Sequence, residues 1–128
     1  MRRYSKSDKV ADLLKHAVSN ALLTHLGDER LRWVNVTEVQ LTRDLSHAKI
    51  FYTVLEAALS REKAEEALEE NLPKLKRHLA KNLRLRRLPE LRLLYDEMAD
   101  QANRIEELLD SVRKDDDDEP GTEDTDPN

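Results

Sequence analysis

A chain of 128 residues with 22 lysines and arginines against 27 aspartates and glutamates carries a formal net charge of −5; it is long enough for one modest core and too short for two. The absence of cysteine excludes disulfides, thiolate metal sites and cysteine nucleophiles, and fits a reducing compartment. Glycine occurs only at positions 27 and 121, so no Walker or dinucleotide-type phosphate loop can be written and nucleotide cofactors held that way are excluded.

The opening Met1-Arg2-Arg3-Tyr4-Ser5-Lys6 runs into mixed polar sequence, so neither a signal peptide nor a membrane span is expected, and the protein reads as soluble and intracellular. Arg2, Arg3 and Lys6 form a basic arm able to reach a nucleic-acid backbone. Ser7 or Asp8 can cap a first helix whose apolar positions Val10, Leu14, Ala17, Val18, Ala21 and Leu22 recur every three or four residues. Gly27 ends it, because glycine takes the left-handed conformation common just past a helix. A strand follows over about Val34 to Leu41. Its alternation is imperfect, which fits either a bulge or a strand covered on both sides.

Thr42 to His47 holds the turn-formers Asp44 and Ser46 and should close a hairpin, with Arg43 at its tip. The next strand, Ala48 to Leu55, sets Ala48, Ile50, Tyr52 and Val54 on one face. Ser60 caps a helix with Ala64, Ala67, Leu68 and Leu72 inside and Glu62, Glu65, Glu66, Glu69 and Glu70 outside. Pro73 loses a ladder bond in a helix interior but suits a first turn, which places a kink at Asn71-Leu72-Pro73. The helix beyond is amphipathic and basic: Leu75, Leu79 and Leu83 share one arc, and Lys74, Arg77, Lys81 and Arg84 the opposite one. Pro89 stops it and pushes Leu88 toward extended geometry, so Leu91 to Tyr95 should be a strand.

Ile105, Leu108, Leu109 and Val112 predict a last short helix from about Ala102 to Arg113. After Lys114 come Asp115, Asp116, Asp117, Asp118, Glu119, Glu123, Asp124 and Asp126 with no basic residue. Taking those eight from the 27 acids leaves 19 against 22 basic side chains in residues 1–114, a mildly basic net of +3. Residues 115–128 cannot bury enough apolar surface to offset their ordering entropy and are expected to be a disordered tail. The tail reads as solubilising, or alternatively as an electrostatic mimic of nucleic acid that competes for the basic face.

The predicted order is helix, strand, strand, helix, kink, helix, strand, with a short helix appended: an α+β domain of residues 1–114 with helices on one face of a three-stranded sheet. This order resembles the bacterial (type II) KH fold. The run Val39-Gln40-Leu41-Thr42-Arg43-Asp44-Leu45-Ser46-His47-Ala48-Lys49-Ile50 is similar to the strand-turn-strand signature of the ribosome-binding factor A family. So is Leu83-Arg84-Leu85-Arg86-Arg87-Leu88-Pro89-Glu90-Leu91, followed by Tyr95-Asp96; with the opening Arg2-Arg3 and the closing Arg104-Ile105 and Leu108-Leu109, the resemblance covers residues 2–112. In that family a helix kink, usually Ala-x-Gly, replaces the nucleic-acid loop of ordinary KH domains; here Asn71-Leu72-Pro73 stands there. Proline can make the bend but removes an amide donor that glycine keeps. The resemblance implies a cytoplasmic, monomeric assembly factor that binds immature 30S subunits, contacts 16S rRNA and assists late processing of its precursor, notably during cold growth.

Lys74, Arg77, Lys81 and Arg84 are the first choice for phosphate contacts, set against an ordinary solvated helix face. Histidines 16, 25, 47 and 78 lack ligand spacing, so no metal is expected, and no cofactor. Asp96, Glu97 and Asp100 read as helix-capping acids. Tyr4, Trp33, Phe51, Tyr52 and Tyr95 are too scattered for a stacking RNA-recognition sheet. No nucleophile, base and donor set converges, so an enzyme is not expected. The alternative to an RNA-binding factor is a helical protein-interaction adaptor with a solvated charged face.

Overall fold

Ser5, rather than Ser7 or Asp8, starts the first helix in the computed structural model, which describes residues 5–118, with side chains from residue 5 to residue 112. The Ser5 hydroxyl accepts the Asp8 amide at 3.2 Å and the Asp8 carboxylate accepts the Ser5 amide at 3.0 Å, so Asp8 is the third residue of a reciprocal cap. Helix α1 spans Lys6–Asn20 and buries Leu14 and Val18. It widens into a π-helical turn, Ala21–His25, where the Leu26 amide bonds the Ala21 carbonyl five residues back. Here Thr24 Oγ1 donates to the Asn20 carbonyl at 2.8 Å, competing for the acceptor its own amide would use. Gly27, at φ +73°, then turns the chain as expected.

Asp28 caps a 3-10 turn, Glu29–Trp33, that leads into β1 (Val34–Leu41). β1 pairs antiparallel with β2 (His47–Val54), and β2 pairs parallel with β3 (Glu90–Tyr95), giving the order β1-β2-β3. Val36 faces Tyr52 and Glu38 faces Phe51, which leaves Thr37 as the extra residue of a bulge. The bulge, and not cover on both faces, accounts for the broken alternation: Val34 and Val36 before it and Val39 after it are buried, while Glu38 and Gln40 are exposed. In the hairpin turn, Asp44 Oδ1 accepts from the Ser46 amide at 3.1 Å and from the Ser46 and Thr42 hydroxyls, and Leu45 takes φ +62°.

The helices expected on either side of residues 71–73 are one continuous element, α2 (Arg61–Asn82), capped by Ser60 and holding Pro73 inside. Proline within a helix costs about 3 kcal/mol. That is offset because Ala64, Ala67 and Leu68 before it and Leu75 and Leu79 after it are all buried in one core, and each fully buried leucine contributes roughly 1.5–3 kcal/mol. This core is shared with Leu14 and Val18 of α1 and with Val39, Ala48, Ile50, Tyr52 and Leu91 of the sheet, so α1 and α2 cover one sheet face. α2 ends at Asn82, whose side-chain amide donates to the His78 carbonyl at 2.8 Å. Leu83 is extended, at φ −100° and ψ 139°, so Arg84 lies beyond the helix and not on its stripe.

The described chain divides into two compact units, the first ending at Asp96 and the second beginning at Glu97. The second is helix α3 (Glu97–Asp118), longer at both ends than the segment from Ala102 to Arg113 that apolar periodicity marks. Glu97 and Asp100 occupy its first turn, where acids complement the helix dipole. Its last turn takes in Asp115–Asp118. Of the expected acidic tail, residues 119–128 lie outside the described residues, as do Arg2 and Arg3.

Candidate nucleic-acid interface

α2 is divided in charge along its length. Its first half exposes Glu62, Glu65, Glu66, Glu69 and Glu70; its second half exposes Lys74, Arg77 and Lys81. A cation in the last turn of a helix is favoured by its dipole, a position that Lys81 occupies. The segment after Asn82 continues the same charge. Leu83 and Leu88 pack against the core, Leu85 is half-buried and Pro89 is buried, while Arg84, Arg86 and Arg87 are exposed. Leucines thus pin a loop whose arginines face outward.

Among the described residues, Arg77, Lys81, Arg84, Arg86 and Arg87 form no ion pair. At one end of α2 and in the loop that leaves it, these five cations form a basic stretch of the first unit. Arg86 and Arg87, which alternate with leucines between Leu83 and Pro89, join the candidate residues.

Lys74 has a different partner. Its Nζ donates to the Leu26 carbonyl at 3.0 Å, an acceptor left open at the end of the α1 turn. Asn71, at the expected kink, is also turned inward: its amide donates to Asp28 Oδ2 at 2.9 Å and to the Ala67 carbonyl at 2.8 Å. Asp28 accepts Arg30 Nη2 at 2.6 Å, and the same nitrogen reaches Glu70 Oε1 at 2.7 Å. The Arg30 guanidinium, aided by Asn71, holds the Asp28 carboxyl well below the usual carboxylate range. Leu72 is half-buried against the core and Pro73 is exposed. Residues 71–74 therefore clasp the connection between α1 and β1: Asn71 and Lys74 direct their donors to it, and the exposed Pro73 has no donor to offer a ligand.

Arg43 is exposed in the hairpin turn that Asp44 organises, and Lys6 is exposed at the start of α1. Neither is brought to the α2 cluster by any contact in the described residues. Tyr52 and Tyr95 meet edge to face at 5.5 Å between ring centroids, with the Arg61 guanidinium 3.7 Å from the Tyr95 ring; they belong to the sheet and its packing. Asp96 accepts from Thr37, and Asp100 pairs with Arg104 at 3.2 Å. Among the described residues no group of three histidines or acids could hold a metal ion, and no helix is long and apolar enough to cross a membrane.

A mixed three-stranded sheet carrying α1 and α2 on one face, with the third strand parallel to its neighbour, defines an α+β domain of the KH-like type II class. The sequence profile described as ribosome-binding factor A matches residues 6–109. A ribosome-binding factor A from Neisseria meningitidis serogroup A is 38% identical over 111 residues, covering 87% of this chain and 89% of the relative. The crystal structure of ribosome-binding factor A from Thermus thermophilus superposes with a TM-score of 0.61 at 29% identity, covering 70% of this chain and 93% of that one. A homology model of the Thermus thermophilus factor, fitted into a cryo-electron microscopy map of its complex with 30S, is similar with a TM-score of 0.51 at 31% identity, over 66% of this chain and 88% of that one. The chain belongs to the ribosome-binding factor A family.

Proposed function

We propose that this protein is a non-enzymatic ribosome assembly factor that binds the immature 30S subunit through its 16S rRNA and assists late maturation and processing of the 16S precursor. It acts as a cytoplasmic monomer, and its contribution is greatest during growth in the cold. The observation that carries this reading is the set of exposed, unneutralised cations Arg77, Lys81, Arg84, Arg86 and Arg87. RNA presents closely spaced phosphates, and each one neutralised releases counterions, so such a surface gains affinity without needing base readout. Family membership supports the choice of ribosomal RNA as the partner.

The test is co-sedimentation with immature 30S subunits across a salt series, for the native chain and for the R77E/K81E/R84E variant. Association is expected to weaken steeply with salt and to fall at least tenfold in the variant; undiminished co-sedimentation would refute the assignment. A second reading, an adaptor that holds a protein partner by apolar contacts, draws on the exposed Ile105, Leu108, Leu109 and Val112 of α3. It predicts association that is indifferent to salt.

A further inference from the structure

Side chains alternate across a strand, so the residues between the core positions of β2 and β3 face away from α1 and α2. On that open face Lys49 stands directly opposite Arg92 across the parallel β2–β3 ladder, and Gln40 stands opposite Lys49 across β1–β2. All three are exposed. Like charges in direct cross-strand register repel, and a sheet normally avoids them or sets a carboxylate beside them. Here neither cation has an ion pair among the described residues.

Of the two carboxylates nearest in register, Glu38 accepts from Gln40 Nε2 at 3.0 Å and Glu90 lies 4.0 Å from Lys76 Nζ, and neither forms an ion pair with Lys49 or Arg92 among the described residues. Beside the cations, the row Phe51–Leu94 is half-buried and supplies an apolar shoulder, and the hairpin that carries Arg43 lies a few residues beyond Gln40. Two strand-borne cations about 4.8 Å apart at their backbones converge on one place from fixed positions, which suits an anion shared between them.

We infer that the open sheet face is a second RNA-backbone contact, with Lys49 and Arg92 jointly holding phosphate on the side of the sheet opposite α2. This deepens the assembly-factor reading and rests on it: rRNA would be gripped at two separate surfaces of the first unit, the α2 end and the sheet. The flexible lysine and the forked guanidinium then play different parts, one a point charge and the other a two-pronged donor.

The experiment measures binding of the full chain to a 16S rRNA transcript as a function of salt, for the native protein, K49Q/R92Q, and R77Q/K81Q/R84Q. Each phosphate neutralised contributes about 0.7–0.9 to the slope of log K against log salt, so K49Q/R92Q, which loses the one phosphate the pair shares, is expected to flatten that slope by about 0.8. Its melting temperature should hold or rise, because a repulsive pair has been removed. If the double variant fails to fold, K49Q and R92Q separately should each lower the slope by about half as much. A slope that falls in the α2 variant and not in K49Q/R92Q overturns this inference and leaves the assembly-factor reading standing. No change in either variant overturns both. An unchanged RNA slope with a melting temperature that falls at low salt marks an acidic segment of the protein itself as the occupant, and also overturns it.

Discussion

Thr37 Oγ1 donates to Asp96 Oδ2 at 2.6 Å, joining the bulge of β1 to the residue that follows β3, 59 positions later. The bulge makes this possible, because an extra residue turns a hydroxyl out of the regular alternation. The Asp96 amide meanwhile donates to the Tyr52 carbonyl at 2.7 Å, so one residue closes the β2–β3 ladder through its backbone and reaches β1 through its side chain. T37V keeps the shape and strand preference of the site while removing the donor. It is expected to cost about 1 kcal/mol, seen as a lower urea midpoint with an unchanged m-value. T37S, which retains a hydroxyl, should recover most of the loss. Equal midpoints for T37V and the native chain would show that the bond contributes nothing.

Two aspartates, Asp28 and Asp44, should contribute to the acid limb of stability. Asp28 is held below the usual range, first by its bonds to Arg30, and Asp44 is held down to about 2 by the Ser46 and Thr42 hydroxyls and the Ser46 amide. An unfolded aspartate titrates near 3.9, so below that value the unfolded chain binds more protons than the native one and stability rises with pH. The contribution of each is complete above about pH 4 and is lost as pH falls through the depressed native value, near 2 for Asp44. D28N/D44N should therefore flatten the pH dependence of the unfolding free energy between about pH 4 and 2, measured by urea unfolding at each pH. A slope equal to that of the native chain would rule these two out as the groups responsible. D28A should be less stable than D28N, because asparagine can still cap the 3-10 turn at Arg30.

Much of this fold is readable in one dimension because its signals are local. The alternation of residues 48–55, the Ser60 cap and the turn chemistry of Asp44 and Ser46 each act within a few residues. The bulge is not decidable that way, since a broken alternation looks the same whether one residue is extra or both faces are covered. Pro73 misleads a local reading: its cost predicts a break, and only the shared core on both sides of it, a tertiary effect, keeps α2 continuous. The roles of Asn71 and Lys74 are out of reach for the same reason. Their partners Asp28 and Leu26 lie 43 and 48 positions away, and nothing in helical spacing marks which lysine of a basic stripe will find an open carbonyl.

That division within the stripe can be measured. K74M keeps the aliphatic stem and removes the ammonium that bonds the Leu26 carbonyl, so it should lower unfolding free energy by about 1 kcal/mol. R77Q replaces an exposed side chain with no ion pair among the described residues and should change stability by less than about 0.5 kcal/mol. Binding to a 16S rRNA transcript should respond in the opposite order: R77Q lowers the salt slope by roughly 0.7–0.9, while K74M leaves it nearly unchanged. Because stability and binding move in different variants, a general loss of folding cannot imitate the result. If K74M proves as stable as the native chain and lowers the slope as much as R77Q, then the Lys74 ammonium leaves Leu26 for phosphate, and the basic surface extends one turn further toward Pro73 than the native contacts indicate.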